Sequence, residues 1–184
     1  MERRLVGFLV VVMGLVMLAV PVSTANAQAP LSINIFGGAV IPEGSGGEAT
    51  GWIAGANIDN RLSGGRSKVS LRLDLAYGSS SFDGPFDLEL NRFYGIAYAL
   101  FHAGKGQSNG KSVDLYLGGG GGIVNQSIGG SGTSSWDPVA SAVVGAAVPV
   151  GGIRLFLEGR WIMIFSENLN IFPIVAGVRI PLGG

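Results

Sequence analysis

Val69-Ser70-Leu71-Arg72-Leu73-Asp74-Leu75-Ala76-Tyr77 alternates in polarity without a break. Val69, Leu71, Leu73, Leu75 and Tyr77 occupy one parity, and Lys68, Ser70, Arg72, Asp74 and Ala76 the other. Successive side chains of an extended strand point to opposite sides, so this stretch reads as a strand with one apolar and one charged face. A helix would not separate the two sets.

The same period of two extends outward in both directions. Between Gly, Ser, Asn, Asp and Pro clusters the chain divides into eight segments, 31–41, 49–59, 67–78, 86–101, 111–124, 137–148, 153–165 and 170–181. In the fourth, Phe86, Leu88, Leu90, Tyr94, Ile96 and Tyr98 are taken as the apolar face, with Arg92 as its misfit, against Asp87, Glu89, Asn91, Phe93, Gly95 and Ala97. The fifth sets Val113, Leu115, Leu117 and Ile123 against Asp114, Tyr116 and a glycine run. The seventh sets Ile153, Leu155, Leu157, Trp161 and Met163 against Arg154, Phe156, Glu158 and Arg160. In the eighth, Phe172, Ile174, Ala176, Val178 and Ile180 oppose Pro173, Val175, Gly177 and Arg179. Small residues occupy both faces of the first, second and sixth.

Ahead of these segments, residues 1–27 carry the three parts of a secretory signal. Arg3 and Arg4 open it, an apolar run from Leu5 to Val20 follows, and Ala25-Asn26-Ala27 supplies a small-residue cleavage site. The expected organisation is a signal peptide, 1–27, removed from a single domain, 28–184. Twelve basic residues balance twelve acidic ones, which gives no electrostatic case for nucleic acid. There is no cysteine, which excludes disulfides and thiolate metal sites.

Strands with one apolar and one charged face suit two closed architectures. A soluble lipocalin-like barrel would turn the apolar face inward around an apolar ligand; a membrane barrel turns it outward. The charged face favours the second, because Arg72, Arg154, Arg160 and Arg179 are matched by Asp74, Glu89, Asp114 and Glu158 among many small residues. That is the composition of a narrow lumen with paired charges. Trp52, Tyr77, Phe86, Tyr98, Trp161, Phe165 and Phe172 are the expected membrane-interface aromatics. The expected fold is therefore an all-β, eight-stranded antiparallel up-and-down transmembrane barrel. Its connections on one side are expected at 42–48, 79–85, 125–136 and 166–169, and on the side of the termini at 60–66, 102–110 and 149–152.

On signal, strand count, dyad pattern and the closing stretch Phe172-Pro-Ile-Val-Ala-Gly-Val-Arg-Ile-Pro-Leu182, the chain resembles the small eight-stranded bacterial outer-membrane barrels, such as the OmpA transmembrane domain and OmpX-like and OmpW-like proteins. Members commonly finish on an aromatic residue, where this chain has Leu182-Gly183-Gly184. The resemblance implies an outer-membrane location, membrane lipids and the barrel-assembly machinery as partners, and a monomer. Its implied role is structural, surface contact or porin-like passage of small solutes.

Catalytic chemistry finds little support. His102 is the single histidine and falls at the start of an expected turn, away from the outer leaflet where a lipid-modifying barrel enzyme would act. One histidine without cysteine does not make a zinc site, and no cofactor is expected. The stretch Gly104-Lys-Gly-Gln-Ser-Asn-Gly-Lys-Ser112 has five residues between its outer glycines where a phosphate-binding loop has four, and a strand follows it. Gly118–Gly122 lies inside an alternating strand, where glycine gives a bend or leaves room for a bulky neighbour in a crowded lumen.

Overall fold

A computed structural model describes residues 31–43, 48–62, 68–81, 89–108, 111–129 and 134–182. The expected signal peptide and Phe86 lie outside these. Eight strands follow in chain order: β1 Leu31–Glu43, β2 Gly51–Arg61, β3 Val69–Ser81, β4 Glu89–Ser108, β5 Lys111–Ile128, β6 Ser134–Val150, β7 Ile153–Ile164 and β8 Leu169–Leu182. Each pairs antiparallel with the next, and β1 closes on β8 from Leu31↔Leu182 to Glu43↔Asn170. Closure leaves no free sheet edge, which a strand protein in lipid requires.

Side-chain parity decides which solvent each face meets. Outward positions carry large apolar residues in the open, among them Ile35, Leu117, Val144, Leu157 and Ile174. Inward positions carry Arg72, Asp74, Glu158, Arg160 and Arg179, all buried. An apolar belt running right round the molecule is far larger than water tolerates on a monomer, and it suits hydrocarbon. The inverted, lipocalin-like arrangement is not the one that forms.

Two sequence expectations are corrected. The first concerns β4, whose apolar parity faces inward: Leu90, Tyr94, Ile96, Tyr98 and Leu100 are buried, whereas Phe93, Ala97 and Phe101 are exposed. Directly paired residues share a face, and Arg72↔Tyr98 and Asp74↔Ile96 bind β4 to the inward side of β3. The bulkier parity looked like the lipid face because the lumen has an apolar layer of its own here. Arg92 is no misfit; it points inward with the rest.

The second concerns strand length. β4 runs on to Ser108 and β5 starts at Lys111, so the expected 102–110 turn is mostly ladder, with a bulge between His102 and Gly104. Likewise the expected loop 125–136 is largely strand, since Asn125↔Trp136 and Ser127↔Ser134 pair. The 149–152 turn tightens to Gly151-Gly152, with φ 64° at Gly151, the first central position where a two-residue hairpin favours glycine.

Glycines on β5 shape the wall. Gly118, Gly120 and Gly122 stand opposite Leu100, Tyr98 and Ile96. A Cβ at Gly120 would lie 2.9 Å from Tyr98 Cδ1, so its absence lets the tyrosine ring lie across β5.

Candidate functional site

Among the described residues it is the lumen that gathers polar chemistry, and it is tiered. At mid-height Arg72 and Asp74 of β3 meet Glu158 and Arg160 of β7, on opposite walls. Arg72 Nη1 donates to Glu158 Oε1 at 2.5 Å, and Arg160 donates to Glu158 Oε2 from Nη2 at 2.7 Å and Nε at 2.9 Å. Tyr116 OH donates to Glu158 Oε1 at 2.7 Å. Asp74 lies 2.9 Å from Arg72 Nε and 3.0 Å from Arg160 Nη2, though off hydrogen-bonding angles, so charge more than hydrogen bonding holds it. Two cations and two anions make the square neutral, as buried charges must nearly be. The guanidiniums also lie against rings, Arg72 5.0 Å from the Tyr98 centroid and Arg160 4.3 Å from that of Phe36.

Toward the end that holds the termini, Asp114 of β5 is a hub. Arg61 Nη2 reaches its Oδ2 at 2.9 Å, Arg154 Nη1 at 3.3 Å and Arg179 Nη1 at 3.6 Å. Arg179 also donates from Nε to Asn34 Oδ1 at 3.2 Å, and its Nη2 lies 3.6 Å from Asp59 Oδ2. Asn34 in turn donates to Asn57.

His102 sits in the same tier. Its Nδ1 is 3.0 Å from Asp114 Oδ1 and its Nε2 is 3.1 Å from Ser70 Oγ, the order of a nucleophile, base and orienting acid. Two features argue against hydrolysis. Ser70 is fully buried, so a substrate has no approach to its oxygen, and Arg61 Nη2 stands 2.8 Å from the same Nδ1 that a relay needs for Asp114.

Beyond the square, toward the opposite end, Ile53, Ile96, Val124, Ile162, Ile171 and Val175 fill the lumen with apolar side chains. Above them Arg92 donates from Nη2 to Glu48 Oε2 at 2.9 Å and from Nε to Gln126 Oε1 at 2.8 Å. Gln126 Nε2 reaches Asp137 and Glu167, each at 3.2 Å.

Of the expected lumen residues, the structure places Arg72, Asp74, Asp114, Arg154, Glu158, Arg160 and Arg179 inside. Glu89 is corrected: it has outward parity at the rim of β4, exposed, and accepts a 2.7 Å hydrogen bond from Ser79 Oγ. Of the expected interface aromatics, Trp52, Tyr77, Trp161, Phe165 and Phe172 have outward parity. The Trp52 and Tyr77 rings lie 5.7 Å apart, and Trp161 Nε1 donates to Asn170. Tyr98 is corrected: it lies in the lumen with its hydroxyl 2.8 Å from Ser141 Oγ. Sequence reasoning missed Asp59 and Arg61, and it set Arg92 on the outer face and His102 at a turn, whereas all four belong to the lumen tiers. The parity of Asn57, Asp59 and Arg61 was a readable signal, and Arg92 on the wrong face was another.

No protein-family model and no curated protein matches the sequence. Among solved structures, the crystal structure of Neisserial surface protein A is similar with a TM-score of 0.61 and 17% identity, over 83% of this chain and 97% of that one. Ail, the attachment invasion locus protein of Yersinia pestis, aligns with a TM-score of 0.44 and 16% identity, over 82% of this chain and 97% of its own. The first likeness shows a shared fold, a small eight-stranded barrel closed in chain order.

Proposed function

We propose that the protein is a non-enzymatic, non-conducting barrel of the bacterial outer membrane, with a structural or surface-contact role. The observation that carries this reading is the filled lumen. Arg72, Asp74, Tyr98, Tyr116 and Glu158 are each at most 2% exposed, so the described mid-height layer offers water no path. Eight strands enclose room for side chains and little else. This favours envelope or surface roles over passage of solutes.

Export by residues 1–27, folding by the barrel-assembly machinery and a monomeric state in lipid complete the proposal. In such barrels the termini are periplasmic, which would turn the Glu48, Glu89, Asp137 and Glu167 rim outward. The test is to isolate the protein from outer membranes, show its heat-dependent gel mobility and insert it into planar bilayers. Absence of conductance steps is expected. Reproducible steps at a protein concentration that gives single insertions would overturn the non-conducting reading.

A further inference from the structure

We propose that the termini-side mouth of the lumen is a binding site for a phosphate-class oxyanion. A recess of about 190 Å³ opens there between β1, β2, β7 and β8, and its polar lining is Ser32, Asp59, Arg61, Arg154 and Arg179. The two ends of the lumen differ sharply in charge: this one is cationic, whereas Arg92 at the other end is surrounded by carboxylates.

Donors outnumber acceptors in the recess. Arg61, Arg154 and Arg179 all draw on one atom, Asp114 Oδ2, at 2.9, 3.3 and 3.6 Å. A carboxylate oxygen has two lone pairs, and three guanidiniums bring far more N–H groups than it can serve. The shortage falls on Arg179. This side chain is 6% exposed, and its Nη2 is buried without a hydrogen bond, 3.6 Å from Asp59.

Geometry points to a tetrahedral anion in preference to a planar one. A carboxylate is satisfied by one guanidinium fork in its plane. Here the guanidiniums come from three strands, β2, β7 and β8, and reach one point, which suits an oxyanion with acceptors in every direction. The lining ends in Leu31 and Pro181, so either free phosphate or the phosphodiester of a lipid headgroup at the mouth has the required chemistry.

The experiment uses the full barrel purified in a maltoside detergent, which carries no phosphate. Inorganic phosphate is titrated against chloride at matched ionic strength, following arginine side-chain NMR signals and the thermal unfolding midpoint. Saturable shifts with phosphate and none with chloride are expected. Arg154→Gln, at the most exposed of the three arginines, should weaken binding at least tenfold. Asp59→Asn, which removes a competing anion, should tighten it severalfold.

Glycerophosphoglycerol, a water-soluble phosphodiester, as a second titrant separates the sources: binding at least tenfold tighter than inorganic phosphate assigns a headgroup, and equal or weaker binding assigns free phosphate. Both variants are checked for the heat-dependent gel shift, and if Arg154→Gln does not fold, the wild-type and Asp59→Asn titrations decide. Identical responses to phosphate and chloride, or an Asp59→Asn affinity no tighter than wild type, would overturn the assignment.

Discussion

Arg72 and Glu158 lie 86 residues apart in the chain and meet across the barrel, Nη1 to Oε1 at 2.5 Å, joining β3 to β7 through the middle of the lumen. Neither is a neighbour of the other in the sheet. The pair belongs to a neutral square with Asp74 and Arg160, and the balance of that square controls its energetics.

Removing one member of such a square leaves a buried charge without its partner, which costs about 3–5 kcal/mol. Glu158→Gln is therefore expected to lower unfolding stability in lipid by that amount, measured by urea titration. Adding Arg72→Met leaves Arg160 and Asp74 as a matched pair at 3.0 Å. The double variant should recover part of the loss, and strict additivity of the two changes would contradict the network.

Lipid contact makes the cost of a charge depend on depth. Leu157 is among the most exposed apolar residues, whereas Leu182 ends β8 at the rim. Leu157→Arg should cost about 2–4 kcal/mol and Leu182→Arg about 0–1 kcal/mol. Equal costs in the same refolding assay would mean that the belt does not face hydrocarbon.

The facing of β4 can be read chemically, because the chain has no cysteine of its own. Phe93→Cys is expected to react with a lipid-soluble maleimide in the folded barrel and Tyr94→Cys to be protected. The reverse pattern would restore the orientation that polarity alone suggested.

Gly145 makes room for a ring whose position is held by the Glu158 hydrogen bond. A Cβ there would lie 2.6 Å from Tyr116 Cζ, whereas at outward-facing Gly119 the nearest atom is Ser141 O at 3.7 Å. Gly145→Ala should cost about 1–3 kcal/mol, the usual penalty of overpacking, and Gly119→Ala close to nothing. Matching thermal midpoints for the two variants would show that the ring gives way.

Ser70, His102 and Asp114 have a catalytic order without access. A fluorophosphonate probe is expected to leave Ser70 unlabelled in the folded barrel, and His102→Ala to alter stability only. Labelling that disappears with Ser70→Ala would make the protein a hydrolase and sink the non-enzymatic reading.

Local alternation by itself determined a great deal. Wherever one parity was apolar and the other charged, as at Val69–Tyr77 and Ile153–Met163, strand, facing and lumen residues could all be read, because hydrocarbon and a charged interior demand opposite chemistries. Where both parities were apolar, as in β4, the reading failed. Composition ranks two faces only if their surroundings differ, and at that height the interior is apolar too.

Tertiary structure alone decided which charges meet. Arg72 finds Glu158, and Asp114 gathers Arg61, His102, Arg154 and Arg179, through ring closure and the register of eight strands. A period of two tells each residue which side it faces, but it carries no information about height or about the opposite wall.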